Sequence, residues 1–529
     1  MLQYIQIENE GRENMLLVDP SLISEIDNFA SESLGIPKRA LMLRAAEAVA
    51  SAVRSYVSKG SKIRILAGKG NNGGDGYAAA TLLMRDYDVK VYDVFSAGQR
   101  TDEGRYYLTS YAAAGGAIEP LSFDGASLSD IRSSDCIIDA VFGTGFAGEL
   151  PKIAVNLAKE LASINDKTIL AIDVPLGVNA TDGSICDGSL YRATATVALG
   201  FVKPGLVSYP AKEYVGKLIY DNIGLHNDEI LSNFAFDSYY TDYELAASFI
   251  PKRQENSNKG SFGKLLMITG SLDFPGAAHL SLEASLRGGV GYVTYLGEKD
   301  LCDSLISKLP EAIYKPYSLN DLTPESLDEI SSLSARHSAT LIGSGSSRSE
   351  GLRRLLIRLL CDEGSPIILD ADAINVLSEN PEEGRALIKN AKRTVILTPH
   401  PLELSRISGI PTDEIQSKRL AVAKSFAREC NCILVLKGAA TIVTDGKETY
   451  VNSSGSSALA KAGSGDVLAG FLAALVASGC DPLRASALAT YFHGLAADVL
   501  AEELSAFGVT PSDLPREIAR QLAKAISQH

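Results

Sequence analysis

A chain of 529 residues is too long for one ordinary domain, because single hydrophobic cores stop growing at roughly 250–300 residues, so two domains are expected. Hydrophobic residues at 46% and charged residues at 22% describe a globular protein, and a net charge of −14 excludes a nucleic-acid or anionic-membrane surface as the main business. Seven scattered cysteines without metal-type spacing, an N-terminus too acidic for a secretory signal and no apolar stretch of bilayer length predict reduced thiols in a cytoplasmic protein.

Between Ser21 and Tyr56 two helices are expected: Ile23, Ile26, Asp27 and Ala30 recur at helical spacing, Gly35-Ile36-Pro37 punctuates, and the period resumes at Leu41. Lys62 to Gly68 reads as a strand, followed by the glycine-rich stretch Lys69 to Gly76 and a helix from Tyr77. Strand, glycine loop and helix form the phosphate-binding arrangement of doubly wound sheets, although the spacing fits neither the dinucleotide nor the Walker pattern and also suits a plain tight turn. Further strands, Val89 to Phe95, Cys136 to Val141, Thr168 to Val174 and Thr194 to Leu199, are spaced for a parallel sheet.

Ligands of such sheets sit outside the carboxyl ends of the strands. Three polar loops converge there: Asn71, Asn72 and Asp75; Asp139 with Gly143-Thr144-Gly145-Phe146; and Asp173-Val174-Pro175-Leu176-Gly177. Asp139 and Asp173 interrupt apolar runs, where a carboxylate needs a partner or a cation, and hard oxygen ligands suit sodium, potassium, magnesium or calcium. Each acid alone would also serve as a helix cap.

A linker is expected at 228–242, and a second strand-and-helix series begins at Lys264. Its strands are Lys264 to Thr269, Gly291 to Leu296, Ala339 to Gly343, Pro366 to Asp370, Thr394 to Thr398 and Ile433 to Lys437. The loops after them carry the polar residues. His400 stands between two prolines in a stiff loop, Asp370 and Asp372 suit water-mediated magnesium or a helix cap, and Lys437 beside Gly438 suits a nucleotide phosphate. Asn452 to Ser456 reads as a mobile lid. Last comes Gly463-Ser464-Gly465-Asp466 before an apolar run, a glycine turn opening a helix whose N–H groups would cradle an anion. Asp466 there is either an N-cap or the general base of a phosphoryl transfer.

With these residues in order, the chain resembles the bifunctional NAD(P)H-hydrate repair enzymes, which join an epimerase to an ADP- or ATP-dependent dehydratase. The resemblance implies an α/β protein of two domains: a Rossmann-like doubly wound sheet over 1–227 and a ribokinase-like α/β sandwich over 243–529. In front it implies hydrate contacts at Asn71, Asn72, Gly73, Gly74 and Asp75, at Gly143, Thr144, Gly145, Phe146, Ala147, Gly148 and Glu149, and at Asp173. It also implies potassium near Asn72, Asp139 and Leu176; interconversion of the hydrates at the ring carbon then requires an acid or base, for which Asp173 is the candidate. Behind, it implies hydrate contacts at Ala277, Gly345, His400 and Asp466, nucleotide contacts at Lys437, Gly438, Ala439, Ala440, Thr441 and Gly465, and magnesium with ADP or ATP. Three departures stand out: Leu176 replaces the family's usual serine, Ser344 stands where proline is common, and Leu402 where glycine is frequent.

The expected function is repair of NADHX and NADPHX by a homo-oligomer without nucleic acid or membrane. Two other readings of the parts are a vitamin or sugar kinase behind and a non-catalytic binding module in front.

Overall fold

Short β-rich runs of the first half become one parallel sheet. In this computed structural model, which describes residues 15–95, 98–123, 125–146, 148–186, 190–319 and 322–528, the strands are β1 (Lys62–Ala67), β2 (Asp88–Asp93), β3 (Ala117–Pro120), β4 (Cys136–Ala140), β5 (Thr168–Ile172), β6 (Ala195–Leu199) and β7 (Lys217–Asp221). Their order is β3-β2-β1-β4-β5-β6-β7, and every pairing is parallel. Alternation along β1 divides its side chains between two cores. Ile63, Ile65 and Ala67 pack with the helices Lys38–Tyr56 and Asn71–Leu83, whereas Leu66 packs with the helix Lys152–Ala162. Covered on both faces, the inner strands read as apolar runs. The order reverses between β1 and β4, so the loops leaving these two strands border the crevice where such sheets take their ligands.

A second unit begins at Asp237. Its strands are β8 (Ser238–Thr241), β9 (Lys264–Ile268), β10 (Tyr292–Gly297), β11 (Ile313–Pro316), β12 (Ala339–Ile342), β13 (Ile367–Leu369), β14 (Val395–Leu397), β15 (Ile433–Leu436), β16 (Ile442–Thr444) and β17 (Thr449–Asn452). They form one sheet ordered β11-β10-β9-β12-β13-β14-β15-β16-β17-β8, in which β16 alone runs antiparallel to its neighbours. The helix Ser464–Ala477 is buried at every position from Val467 onward. It meets the helix Pro275–Arg287 backbone to backbone, since a Cβ on Gly470 would stand 2.0 Å from the Ser281 carbonyl oxygen.

The segment 228–242, expected as a linker, holds the helix Asp228–Asn233 and the strand β8, which adds an edge to the second sheet. Four residues of mixed polarity, Ser-Tyr-Tyr-Thr, carry too little pattern to read as a strand before a partner is known. The expected lid is tied down instead. Ser453 donates to the Thr241 carbonyl at 2.6 Å, Ser454 to the Tyr491 carbonyl at 2.7 Å, and the Gly455 amide to Asp498 at 2.7 Å. No described helix is long and apolar enough to cross a membrane.

Candidate active sites

At the reversal point of the first sheet lies a cavity of about 550 Å³, walled by Asn71, Asn72, Asp75, the Gly143 to Phe146 loop, Asp173 and Lys203. The loops meet closely: a Cβ on Gly143 would lie 3.1 Å from Asp173 Oδ2 and 3.4 Å from Asn72 Cβ. The glycine-rich stretch is itself helical, because the helix starts at Asn71 and not at Tyr77. Gly73 sits behind the wall, where a Cβ would stand 2.0 Å from the Gly68 carbonyl oxygen, and Gly74 is likewise buried against Met42. Gly148 and Glu149 do not line the cavity, and Ala147 lies outside the described residues.

Asp173 occupies a left-handed backbone conformation, φ 64°, at the end of β5. For a residue that is not glycine this is strain, of the kind that gathers at functional sites. One of its carboxylate oxygens accepts from the Thr144 amide at 3.3 Å, and the other pairs with the ammonium of Lys203. Lys203 is 1% exposed and also donates to the Leu199 carbonyl at 2.7 Å.

Asp139 is fully buried and takes the Val141 amide at 3.0 Å, the Leu176 amide at 2.7 Å and the Tyr191 hydroxyl at 2.5 Å. Burial pushes its carboxyl above the usual range while these three donors pull it back. Asn72 donates to the Phe142 carbonyl at 2.8 Å, but its buried Oδ1 meets no donor. An orphaned buried amide oxygen is a hard donor of the kind that fits a cation such as potassium. The Leu176 side chain is fully buried in the apolar core, so only its carbonyl is available as a ligand.

In the second unit the cradle forms as its glycines suggest. Gly463 is left-handed at φ 102° and caps the helix Ser464–Ala477. Asp466 lies in the first turn and is not the cap residue; among the described residues its carboxylate receives no hydrogen bond. Burial above all, with the charges of Asp370 and Asp372, pushes its pKa up to about 7 against the pull of Lys437.

Lys437 ties the neighbouring loops together. Its ammonium bonds Asp370 Oδ1 at 3.0 Å, lies 3.9 Å from Glu403, and would meet a Cβ on Gly465 at 3.5 Å. Burial lowers its pKa, but Asp370, Glu403 and Asp466 outweigh that and hold it above the ordinary lysine value. Asp370 accepts from Thr398 at 2.6 Å and Lys437 at 3.0 Å through Oδ1 and from Ser344 at 2.8 Å through Oδ2. Ser344, the departure from proline, thus has a structural bond of its own. Asp372 accepts from the Ser347 amide at 2.9 Å. His400 caps the helix Pro401–Ser408, its Nδ1 accepting from the Glu403 amide at 3.3 Å while Glu403 accepts from the His400 amide at 2.9 Å. Ala277 and Gly345 touch, since a Cβ on Gly345 would lie 2.6 Å from that of Ala277. Among the described residues no group of three or more His, Cys, Asp or Glu is placed to hold a metal.

Two neighbours escaped the sequence reading. Arg419 is 8% exposed and donates to the Leu436 carbonyl at 3.2 Å and the Lys437 carbonyl at 3.3 Å, beneath the Gly438 to Thr441 turn. Among the described residues it has no carboxylate partner, and burial lowers its pKa to about 10. His493 is buried against the Ser464 backbone with its Nε2 unpartnered, and burial lowers its pKa to about 4. His493, a lone basic residue in an apolar stretch of its helix, carries no sequence signal beyond its oddity, and Arg419 reads as one of several charges on a mixed helix.

Comparison with known proteins agrees with this division. A family profile described as NAD(P)H-hydrate dehydratase matches residues 265–520, and one described as YjeF-related protein N-terminus matches residues 38–205. A bifunctional NAD(P)H-hydrate repair enzyme of Moorella thermoacetica is 32% identical, covering 94% of this chain and 95% of that one. Its counterpart in Coxiella burnetii is also 32% identical, over 93% and 96%. Among solved structures, an ADP/ATP-dependent NAD(P)H-hydrate dehydratase from Bacillus subtilis, crystallised with ATP and magnesium, shares 29% identity at a TM-score of 0.48, covering 54% of this chain and 98% of that one. By the extent of these matches, the chain belongs to the family of bifunctional NAD(P)H-hydrate repair enzymes.

Proposed function

We propose that this chain repairs hydrated NADH and NADPH, the first unit interconverting R and S hydrates and the second restoring NAD(P)H from the S hydrate at the expense of ADP or ATP. The observation that carries the reading is Asp466: a carboxylate free of hydrogen bonds, with a pKa of about 7, at the open N-terminus of a helix. It takes the proton of the ring hydroxyl as that oxygen attacks the terminal phosphorus of the nucleotide. The new oxygen–phosphorus bond turns a poor leaving group into a good one. The lone pair of the ring nitrogen then expels phosphate, and the ring carbon next to the vacated one gives up a proton to the departing phosphate or to water, which restores the double bond of the reduced nicotinamide. The N–H groups of Ser464 and Gly465 face the charge that develops on phosphorus, and magnesium, when bound through the nucleotide's phosphates, would supply further neutralisation.

Hydrate contacts at Ala277, Gly345 and His400, and nucleotide contacts along Lys437 to Thr441 and at Gly465, belong to this reading. So do hydrate contacts on the front cavity wall, with Asp173 as acid or base where the hydroxyl-bearing carbon inverts. Asn72, Asp139 and the Leu176 carbonyl would hold potassium, which when bound would fix the substrate's polar groups by charge. A cytoplasmic homo-oligomer completes the reading. A small-molecule kinase in the second unit is the weaker alternative, and the products separate the two. With the S hydrate, magnesium and ADP or ATP, the near-ultraviolet absorbance of reduced nicotinamide is expected to grow in step with free phosphate. A stable phosphorylated product without that absorbance would refute the dehydratase reading.

A further inference from the structure

The front cavity holds more acid than the reading above employs. Asp27, on the helix Pro20–Glu32, lines the same cavity as Asp75, Asp173 and Lys203. The ammonium of Lys203 is committed to Asp173 and to the Leu199 carbonyl, and that of Lys38 bonds Asn28 at 3.1 Å. Asp27 and Asp75, by contrast, receive no hydrogen bond and lie in no ion pair among the described residues. Glu103 adds another acid to the wall and Lys69 another base. Beside them the buried Asn72 Oδ1 lacks a donor, so the cavity offers unsatisfied polar groups to an occupant on more than one side.

Carboxylates gathered in one cavity with the nearest ammonium already engaged cannot all ionise together at neutral pH without mutual repulsion. The buried position is the first cause for each. Burial, then the charges of Asp173 and Asp27, hold Asp75 well above the ordinary aspartate range against the pull of Lys203. Burial likewise pushes Asp27 up to about 6, with Lys203 and Lys38 pulling down and Asp173 pushing up.

Resting on the epimerase reading of this unit, we propose that Asp75 and Asp27 together hold the proton of the epimerisation, Asp75 as the acid that meets the departing hydroxyl and Asp27 as the carboxyl that exchanges the proton with it. The carbon–oxygen bond of the hydrate breaks as the Asp75 proton passes to the oxygen, the lone pair of the adjacent ring nitrogen supplying the electrons, and water leaves. Water then adds to the opposite face of the same carbon and gives its extra proton to Asp173, from which exchange through Asp27 restores Asp75. One water leaves and one adds, and no electrons are gained or lost.

The test uses the full-length enzyme and the purified R hydrate of NADPH, with R-to-S conversion followed by chromatography from acid to alkaline pH. Asp75→Asn is expected to lower kcat by about 10²-fold or more and Asp27→Asn by about tenfold. Because the acid acts only when protonated, the wild-type kcat falls as pH rises, and Asp27→Asn is expected to displace that alkaline limb while Asp27→Glu restores it. Wild-type rates in both Asn variants, or an alkaline limb unmoved by Asp27→Asn, would overturn the proposal. Should Asp75→Asn not fold, judged by thermal unfolding, the limb of Asp27→Asn decides alone. An unmutated enzyme unable to interconvert the hydrates would instead bring down the epimerase reading itself.

Discussion

Asp466→Asn is expected to lower nucleotide-dependent dehydration by about 10²–10⁴-fold while leaving the affinity for the S hydrate nearly unchanged, because the amide keeps the shape of the carboxylate but cannot take a proton. The pH dependence gives the same test a second axis. A base must be ionised to act, and burial with the charges of Asp370 and Asp372 puts the pKa of Asp466 at about 7. In the wild type kcat/KM therefore rises with pH through about 7, and in the Asn variant the residual rate loses that limb. Lost activity is not lost fold here. A carboxyl whose pKa is raised by folding opposes stability once pH climbs above its folded value, so the neutral Asn variant is expected to melt no lower than wild type at alkaline pH. Wild-type turnover in this variant would refute the general-base role.

Asp173→Asn is expected to reduce epimerisation by about 10²–10⁴-fold, measured as conversion of the R hydrate, with dehydration of the S hydrate untouched. Asparagine is the informative replacement because it tolerates the left-handed backbone, φ 64°, that Asp173 adopts. It keeps an oxygen for the Thr144 amide but loses the charge that faces Lys203. Removing one partner of a buried ion pair costs about 3–5 kcal/mol when nothing compensates. Asp27 and Asp75 share the cavity, so the fall in stability is expected to be smaller than that. Full epimerisation in the variant would exclude Asp173 from the chemistry.

Much of this was legible before the structure. Strands buried on both faces announce themselves as apolar runs, and an acid inside such a run, as at Asp139, Asp173 and Asp370, marks a strand end with something polar to hold. What those acids hold was not legible, because their partners come from other strands. Asp370 is spent on Ser344, Thr398 and Lys437, which lie 26, 28 and 67 residues away in sequence. Asp173 meets Lys203, and a lysine after a strand ordinarily reads as solvated. Asp27 fitted the helical period of its neighbours and so passed as part of an amphipathic face. β3 and β11 were missed because each is a four-residue strand at a sheet edge, largely exposed and ending in proline, where little hydrophobic pattern survives. The start of the Asn71–Leu83 helix was placed too late since glycine argues for a turn, whereas here Gly73 allows the helix to press on the Gly68 backbone.

The central claim is that the hydroxyl oxygen of the hydrate attacks phosphorus after giving its proton to Asp466. An S hydrate carrying oxygen-18 in that hydroxyl, turned over once with ATP by the Asp173→Asn variant so that epimerisation does not wash out the label, tests it directly. The account predicts that the label leaves in inorganic phosphate; label recovered in water, with unlabelled phosphate, would contradict it.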